Sequence, residues 1–429
     1  MSVGVQRLRD EPDLLRAAAS DKGEDASVVD RAIDLDEGRR TLVAEGDALK
    51  AERNLSSKRI GEAIRAGADP NGPEVARLKA GPTEVGDRIT AIDTELTSLE
   101  VELEDAMLRI PNPADADVPV GGEEANVTVR TWGEPLPREE RRPHWEIAED
   151  LGLIDNARGA KITGSGWPVY LGAGSNLQRA LINWFLDVHT REHGMTEVWP
   201  PALVNADSAR GTGQIPDKED QMYVATRDDL YLIPTAEVPV TNLHRDEILE
   251  ASSLPIRYAA YSPSFRREAG AAGRDTRGIL RVHQFDKVEM VSFTRPADSE
   301  AELEWLTERA EVLLQRLGLA YRVLLMATRE MGFVQARKYD IEVWAPGVER
   351  WLEVSSVSNF RDYQARRMAI RHRSESGAKP ELVHTLNGSG LALPRTVAAL
   401  IETHQQPDGS ILLPDVLHPA FGGRDRIGP

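Results

Sequence analysis

Five arginines fall within the 25 residues from Phe265 to Glu289. Guanidinium groups suit phosphate, because their planar fork matches two oxygens at once. Phe285, in the same stretch, can offer a ring face to a flat base. Phosphate and base together describe a nucleotide. The neighbouring chain must hold these groups in place. An apolar run, Ile256 to Phe265, leads in, and a β-prone run, Leu280 to Thr294, leads out. Between them, Gly270, Gly273 and Gly278 suit a loop rather than a helix or strand interior. The expectation is two antiparallel strands joined by a long basic loop. Arg266 and Arg281 flank the loop, one on each strand, and Arg274 and Arg277 sit inside it. A loop of that length is usually kept because it covers a ligand. The bland alternative is an exposed hairpin whose charges only keep it soluble.

The fixed positions read Phe265-Arg266-x-Glu268, a glycine-rich loop, then Arg281-x-His283-Gln284-Phe285-x-Lys287-x-Glu289. This resembles motif 2 of the class II aminoacyl-tRNA synthetases, in the form found in seryl-tRNA synthetases. Other segments fit the same family in the same order. Thr235-Ala236-Glu237 resembles its Thr-x-Glu element of the amino-acid pocket. Glu353-Val354-Ser355-Ser356 resembles the Glu-x-x-Ser element of its ATP-magnesium site. Leu386 to Arg395 resembles motif 3, with Arg395 as its arginine and Asn387 and Ser389 in the serine-site segment. Leu177 to His193 reads as an amphipathic helix, followed by a strand, Thr196 to Trp199, and by Pro200-Pro201; this resembles motif 1, which builds the family's homodimer interface. The resemblance covers essentially the whole chain. It departs at Gly164-Ser-Gly-Trp-Pro168, where the family tends to carry a basic and an aromatic residue, and at Val357, where it often has cysteine.

The resemblance implies an α+β fold: the class II synthetase antiparallel sheet flanked by helices, with an N-terminal antiparallel α-helical coiled-coil arm. The implied reaction uses ATP and Mg2+ to activate L-serine as seryl-adenylate, and then transfers serine to the 3' end of tRNA(Ser) and of tRNA(Sec). It assigns Arg266 to the α-phosphate and Arg281 and Arg395 to the distal phosphates. Phe285 and Arg395 would enclose the adenine, and Glu268 would contact the base or the incoming tRNA end. Arg267, Val282, Val354 and Ser355 would line the ATP site, and Glu353 and Ser356 would ligate magnesium. Thr235, Ala236, Glu237, Glu289, Asn387 and Ser389 would bind serine.

Composition sets bounds on all of this. The chain has 429 residues, enough for two or three domains. Its 52 Lys plus Arg against 70 Asp plus Glu give a net charge of -18, so a nucleic acid must meet a local basic patch. There is no cysteine, which excludes disulfides and thiolate metal sites. Met1 to Pro12 carries no apolar run, and no stretch approaches the apolar length of a membrane span. A cytoplasmic protein is the expectation.

Three regions are expected: a helical arm over 1–110, a Pro- and Gly-marked linker over 111–122, and a catalytic domain over 123–429. Within the arm, Ser27-Val-Val-Asp30 resembles a capping box. A helix follows to about Ala66, and 67–73 is turn chemistry. Val85, Ile92, Leu99 and Ala106 fall seven apart, as do Ile89, Leu96, Leu103 and Ile110. Two such helices suggest an antiparallel hairpin, broken or kinked in its second helix at Gly81-Pro82. Lys50, Arg53, Lys58, Arg59, Arg65, Arg77, Lys79 and Arg88 offer positive charge along it. The family's arm grips the long variable arm of tRNA; a dimerisation coil or a helical bundle is the alternative.

Elsewhere, Gly211 to Asp220 is expected as a mobile loop, and Leu230 to Glu237 as a strand. His189 and His193 stand at the spacing of an inverted zinc-protease motif, but no other site chemistry converges on them. Two further function classes stay open: a paralogue that loads serine onto a non-tRNA acceptor, and a non-catalytic tRNA-binding relative.

Overall fold

A computed structural model describes residues 3–139, 141–269, 277–375 and 377–428; within a helix it leaves out the side chains of 74 and 79–81. Gly270, Gly273 and Arg274 therefore lie outside the described residues, as does the Lys79 side chain. The chain divides into two compact units: Met1–Ser20 with Glu24–Pro111, and Asp21–Gly23 with Asn112–Pro429.

The first unit is built on two long helices, α1 (Ser27–Arg65) and α2 (Pro73–Leu108). The cap of α1 is not the expected Ser27 box. Asp25 accepts the Ser27 N–H at 2.9 Å, which satisfies one of the free donors of the first turn. The heptad seam is the buried face: Ile89, Ile92, Leu103 and Ala106 of α2 are buried, as are Val29, Ala32 and Leu42 of α1. Two glycines let the helices approach. A Cβ at Gly38 would lie 3.2 Å from Leu99, and one at Gly46 would lie 3.5 Å from Ile92. Ion pairs cross the seam from Arg88 to Glu45 at 2.8 Å and from Lys50 to Asp93 at 3.3 Å. The expected break at Gly81-Pro82 is absent, and α2 runs through Pro82. Buried Val75 before the proline and buried Ile89 and Ile92 after it anchor both flanks, so packing outweighs the missing backbone donor.

The second unit is organised by one eight-stranded sheet. In chain order its strands are β1 (Val127–Trp132), β2 (Thr196–Val198), β3 (Ile256–Phe265), β4 (Gln284–Thr294), β5 (Tyr321–Leu325), β6 (Arg337–Ala345), β7 (Arg350–Asn359) and β8 (His384–Ala392). Their spatial order is β1-β5-β6-β7-β8-β4-β3-β2. Every neighbouring pair is antiparallel except β2 with β3 at the edge. Helices α3 (Gly172–Asp187), α4 (Ser299–Arg316) and α5 (Leu393–His404) carry Leu181, Phe185, Leu306, Leu313 and Leu400 into one core with Val288, Met290, Ile341, Val343 and Val357 of the sheet. Val357, the residue where the family often has cysteine, is thus a packing position.

Four expectations need correction. The 111–122 segment begins as part of the second unit: the Asn112 amide donates to the carbonyls of Val334 and Phe360 at 3.0 and 2.9 Å, and Asp115 pairs with Arg361 at 2.6 Å. Gly211 lies in a helix, Ala206–Thr212, so the loop begins only at Gly213. The strand before the Thr-x-Glu element spans only Leu230–Leu232, and Glu237 opens a short helix, Glu237–Thr241. Finally, β4 begins at Gln284 rather than Leu280. His283 N donates instead to the Gly166 carbonyl at 2.9 Å, so Arg266 and Arg281 stand just beyond the strand ends.

Candidate functional site

A cleft of about 470 Å³ opens on the sheet face opposite those helices, and its walls include Thr235, Glu237, Arg266, Glu268, Arg281, Val282, Phe285, Glu353, Val354, Ser355, Ser356, Asn387, Ser389 and Arg395. Strand alternation explains part of this convergence: Phe285, Lys287 and Glu289 lie two apart on β4 and share a face. Alternation alone would separate Glu353 from Ser356, which are three apart. The β6–β7 register shows how they meet. Ser355 faces Ile341 and Glu353 faces Glu342, so Val354 is an extra residue on β7. This bulge resets the alternation. Ser356 then stands opposite Asp340, on the same face as Glu353.

At one end of the cleft two buried carboxylates share a donor. The Asn387 amide nitrogen donates to Glu237 at 2.8 Å and to Glu289 at 3.0 Å. Gln364 donates to the other Glu237 oxygen at 2.7 Å and accepts from Thr385 at 2.7 Å. Lys287 forms an ion pair with Glu289. Burial, reinforced by the nearby Glu289 charge, pushes the Glu237 carboxyl up to about 7. The Asn387 carbonyl oxygen is buried without a hydrogen-bond partner, leaving an acceptor in the wall. Ser389 is fixed through its backbone, which accepts the Ser355 hydroxyl at 2.6 Å. Thr235 Oγ1 accepts the Glu237 N–H at 3.3 Å.

The other end is cationic. Arg266 lies with its guanidinium 5.0 Å from the centre of the Phe285 ring, a cation–π distance. Burial pulls Arg266 below its ordinary value, offset in part by Glu353 and Glu268. Arg281 pairs with Glu268 at 2.5 Å, and Glu268 holds a left-handed backbone at φ 52°. Arg395 donates from Nη1 to the Glu353 carbonyl at 3.0 Å and stands 3.7 Å from its carboxylate. Arg267 points away, to the Asp220 carbonyl at 3.0 Å.

Beside Arg395 lies a set of oxygen donors. Ser356 Oγ is 3.0 Å from Glu353 and 2.7 Å from Asp340, which pairs with Lys338 at 2.9 Å. Burial pushes Asp340 up to about 7. It also pushes Glu353 up, but Lys338, Arg395, Ser356 and Arg266 together outweigh it and hold Glu353 below the usual carboxylate range. Glu353 is enclosed by the walls yet keeps 44% of its side chain open to the cleft. Oxygen donors with one carboxylate firmly ionised fit a Mg2+ ion that keeps water and phosphate oxygens as its other ligands. Among the described residues no three His, Cys, Asp or Glu side chains group to hold a metal unaided.

Sequence reasoning missed Gln364, Asp340, Lys338 and Lys218, of which Lys218 and Lys338 also line the cleft. Asp340 and Lys338 lie two apart on a strand beside Glu353 and could have been found by extending the alternation. Gln364 sits in a five-residue helix with no periodic signal. His189 has a different task from the zinc reading: it is fully buried, with Nε2 3.1 Å from the Gly390 carbonyl and Nδ1 3.1 Å from His193. The Gly164–Pro168 departure also has a place, since Trp167 stacks on His283 with centroids 5.6 Å apart. In the arm, Lys50 and Arg88 are engaged across the seam, whereas Arg53, Lys58, Arg59, Arg65 and Arg77 are exposed.

Comparison with known proteins matches both parts of the chain. Residues 4–114 match the seryl-tRNA synthetase N-terminal domain, and residues 223–404 match the tRNA synthetase class II core domain (G, H, P, S and T). A serine--tRNA ligase of Thermomicrobium roseum is 54% identical over 428 residues, 99% of this chain and 95% of that one. One of Geobacillus kaustophilus is 52% identical, covering 99% of this chain and all of that one. The crystal structure of seryl-tRNA synthetase from Pyrococcus horikoshii complexed with ATP superimposes with a TM-score of 0.92 at 37% identity, over 99% of both chains. With the motifs gathered in one cleft and this identity running from end to end, the chain belongs to the seryl-tRNA synthetase family.

Proposed function

We propose that the cleft performs both steps of serine ligation to tRNA, with its two ends dividing the work. In the first step a serine carboxylate oxygen attacks the α-phosphorus of ATP, forming seryl-adenylate and releasing pyrophosphate. In the second, a hydroxyl of the tRNA 3'-terminal adenosine attacks the activated carbonyl, and AMP leaves. Neither step needs a covalent enzyme intermediate. Alignment and charge neutralisation are the main demands.

The observation that carries this reading is the Asn387 bridge between Glu237 and Glu289, set beside Ser389 and facing a cationic end. Two carboxylates of which one is already balanced by Lys287 leave a negative charge for the serine ammonium. Thr235, Ser389 and Glu289 can reward the serine hydroxyl, and alanine would leave them unpaired, a loss that can reach ~10⁴-fold in discrimination. Arg266, at the cationic end, holds the α-phosphate. Arg281 and Arg395 hold the distal phosphates, and the adenine stacks on Phe285. Glu353 and Ser356 would hold Mg2+, which would supply positive charge to the phosphates.

The arm takes the tRNA through its exposed basic side chains, for tRNA(Ser) and by the same contacts tRNA(Sec). The open sheet edge at β2, beside Trp199 with 76% of its surface exposed, supports assembly as a homodimer. Among the described residues no helix is long and apolar enough to cross a membrane, and we place the enzyme in the cytoplasm. ATP–pyrophosphate exchange without tRNA tests the assignment. It should depend on serine, and exchange with threonine or proline but not serine would sink it.

A further inference from the structure

Arg395 and Glu402 lie two turns apart on α5, on one face of the helix. Both reach the chain that returns into β4. Arg395 does so directly, donating from Nε to the Leu280 carbonyl at 3.1 Å. Glu402 does so through His144. One Glu402 oxygen lies 2.8 Å from His144 Nδ1 and accepts the His144 backbone N–H at 3.0 Å. On the far side of the ring, Ile279 N–H donates to His144 Nε2 at 3.3 Å. The second Glu402 oxygen accepts from Gly347 N and Val348 N at 2.8 and 3.2 Å. His144, Ile279 and Glu402 have no exposed surface.

The surroundings define the state of the ring. A backbone N–H faces Nε2, so Nε2 must accept, and the ring proton sits on Nδ1 and points to the carboxylate. Protonating Nε2 would set two donors against each other in a dry site. The fit is also close: a Cβ at Gly278, where φ is 69°, would lie 2.1 Å from Nε2. Arg395, Leu280, Ile279, His144 and Glu402 thus form a closed ring of bonds that begins and ends on α5. Leu280, Arg281 and Val282 line the cleft, while His144 and Glu402 do not.

We propose that His144 is a positioning residue for ATP: as a neutral acceptor tied to Glu402, it fixes Ile279 and so sets the placement of Arg281 and Arg395. The proposal rests on the reading that these two arginines hold the nucleotide. Losing the acceptor frees the Ile279 amide and loosens the limb that carries Arg281, whereas the serine end, built on other elements, keeps its geometry.

Pyrophosphate exchange on the full-length protein tests it with His144→Leu, His144→Gln and His144→Asn. Gln can bring an oxygen to where Nε2 stands, and Asn is too short. His144→Leu and His144→Asn should raise the KM for ATP about tenfold or more while the KM for serine stays within about twofold; His144→Gln should stay within about threefold of wild type for both. Amide exchange of the peptide spanning 277–283 should quicken in the Leu and Asn variants only. Should His144→Leu fail to fold, the Gln and Asn pair decides. An unchanged KM for ATP, an equal rise in both KM values, or identical behaviour of Gln and Asn would overturn the proposal. Arg395→Ala separates the two readings. If it leaves the KM for ATP unchanged, the phosphate assignment has failed, and amide exchange alone reports whether His144 holds the limb.

Discussion

Glu353 and Ser356 stand three residues apart on one strand, yet their side chains meet at 3.0 Å on the same face. The extra residue, Val354, makes this possible, and it brings both oxygens to the side of Asp340. An unbulged strand would leave one of them in the apolar core behind the sheet. Glu353→Ala is expected to lower adenylate formation about 100-fold or more and to raise the magnesium concentration needed for half-maximal rate, with Ser356→Ala about tenfold milder. A magnesium titration of pyrophosphate exchange checks this. If the ranking is reversed, the ionised carboxylate is not the main ligand.

Arg266→Ala should lose transition-state stabilisation more than ATP affinity. The residue is assigned to the α-phosphate, where charge shifts as the α-phosphorus is attacked. A loss of about 3 kcal/mol or more in activation is expected for a preorganised contact of this kind. Stopped-flow adenylate formation is the measurement. An unchanged rate with weaker ATP binding would assign Arg266 to ground-state binding alone.

Glu237 gives the enzyme a pH dependence with a definite sign. Its carboxyl is raised to about 7 in the folded protein, first by burial and then by Glu289. Below that value the neutral form dominates, and above it the anion. In the proposed site the anion balances the serine ammonium, so the KM for serine should fall as pH rises and level off above about 8. At pH 6 it should be about tenfold higher than on the plateau, one unit below the transition. Glu237→Gln should raise the KM and flatten the profile. A wild-type KM that rises with pH over this range would contradict the assignment.

The arm should be separable from adenylation. Removing 51–86 and joining the two helices with a short turn keeps the Gly38, Gly46 and Ile92 contacts and deletes Arg53, Lys58, Arg59, Arg65 and Arg77. Exchange should stay within about twofold, while transfer to tRNA should collapse, because a chain of net charge -18 offers little else to a polyanion. In the intact protein, tRNA affinity should fall steeply with salt. A shortened enzyme that charges tRNA at the full rate would remove the grip from the arm. One that fails at both steps while still folded and dimeric would show that the arm supports the active site.

The motif segments were legible because each carries chemistry in contiguous residues. Heptad spacing likewise exposed the seam of α2, and an apolar run exposed β3. What escaped is chemistry assembled across elements. The bulge at Val354 appears only once β6 supplies a register. Gln364 matters through an oxygen of Glu237, more than a hundred residues away. Pro82 misled for the opposite reason: a strong local rule met apolar anchors on both sides. Ser27 misled because its neighbour Asp25 was better placed to cap.

Two of the three arginines assigned to phosphate are not waiting with bare charges. Arg281 is matched by Glu268, and Arg395 lies against Glu353. These two pairs offset part of the positive charge that the enclosure gathers. Binding a nucleotide becomes an exchange of counter-charges. When a phosphate takes Arg395, Glu353 keeps Lys338 and Arg266 but faces one more anion, which a divalent cation would offset. On this account ATP stripped of its metal should bind more weakly, because it adds negative charge beside a carboxylate that stays ionised.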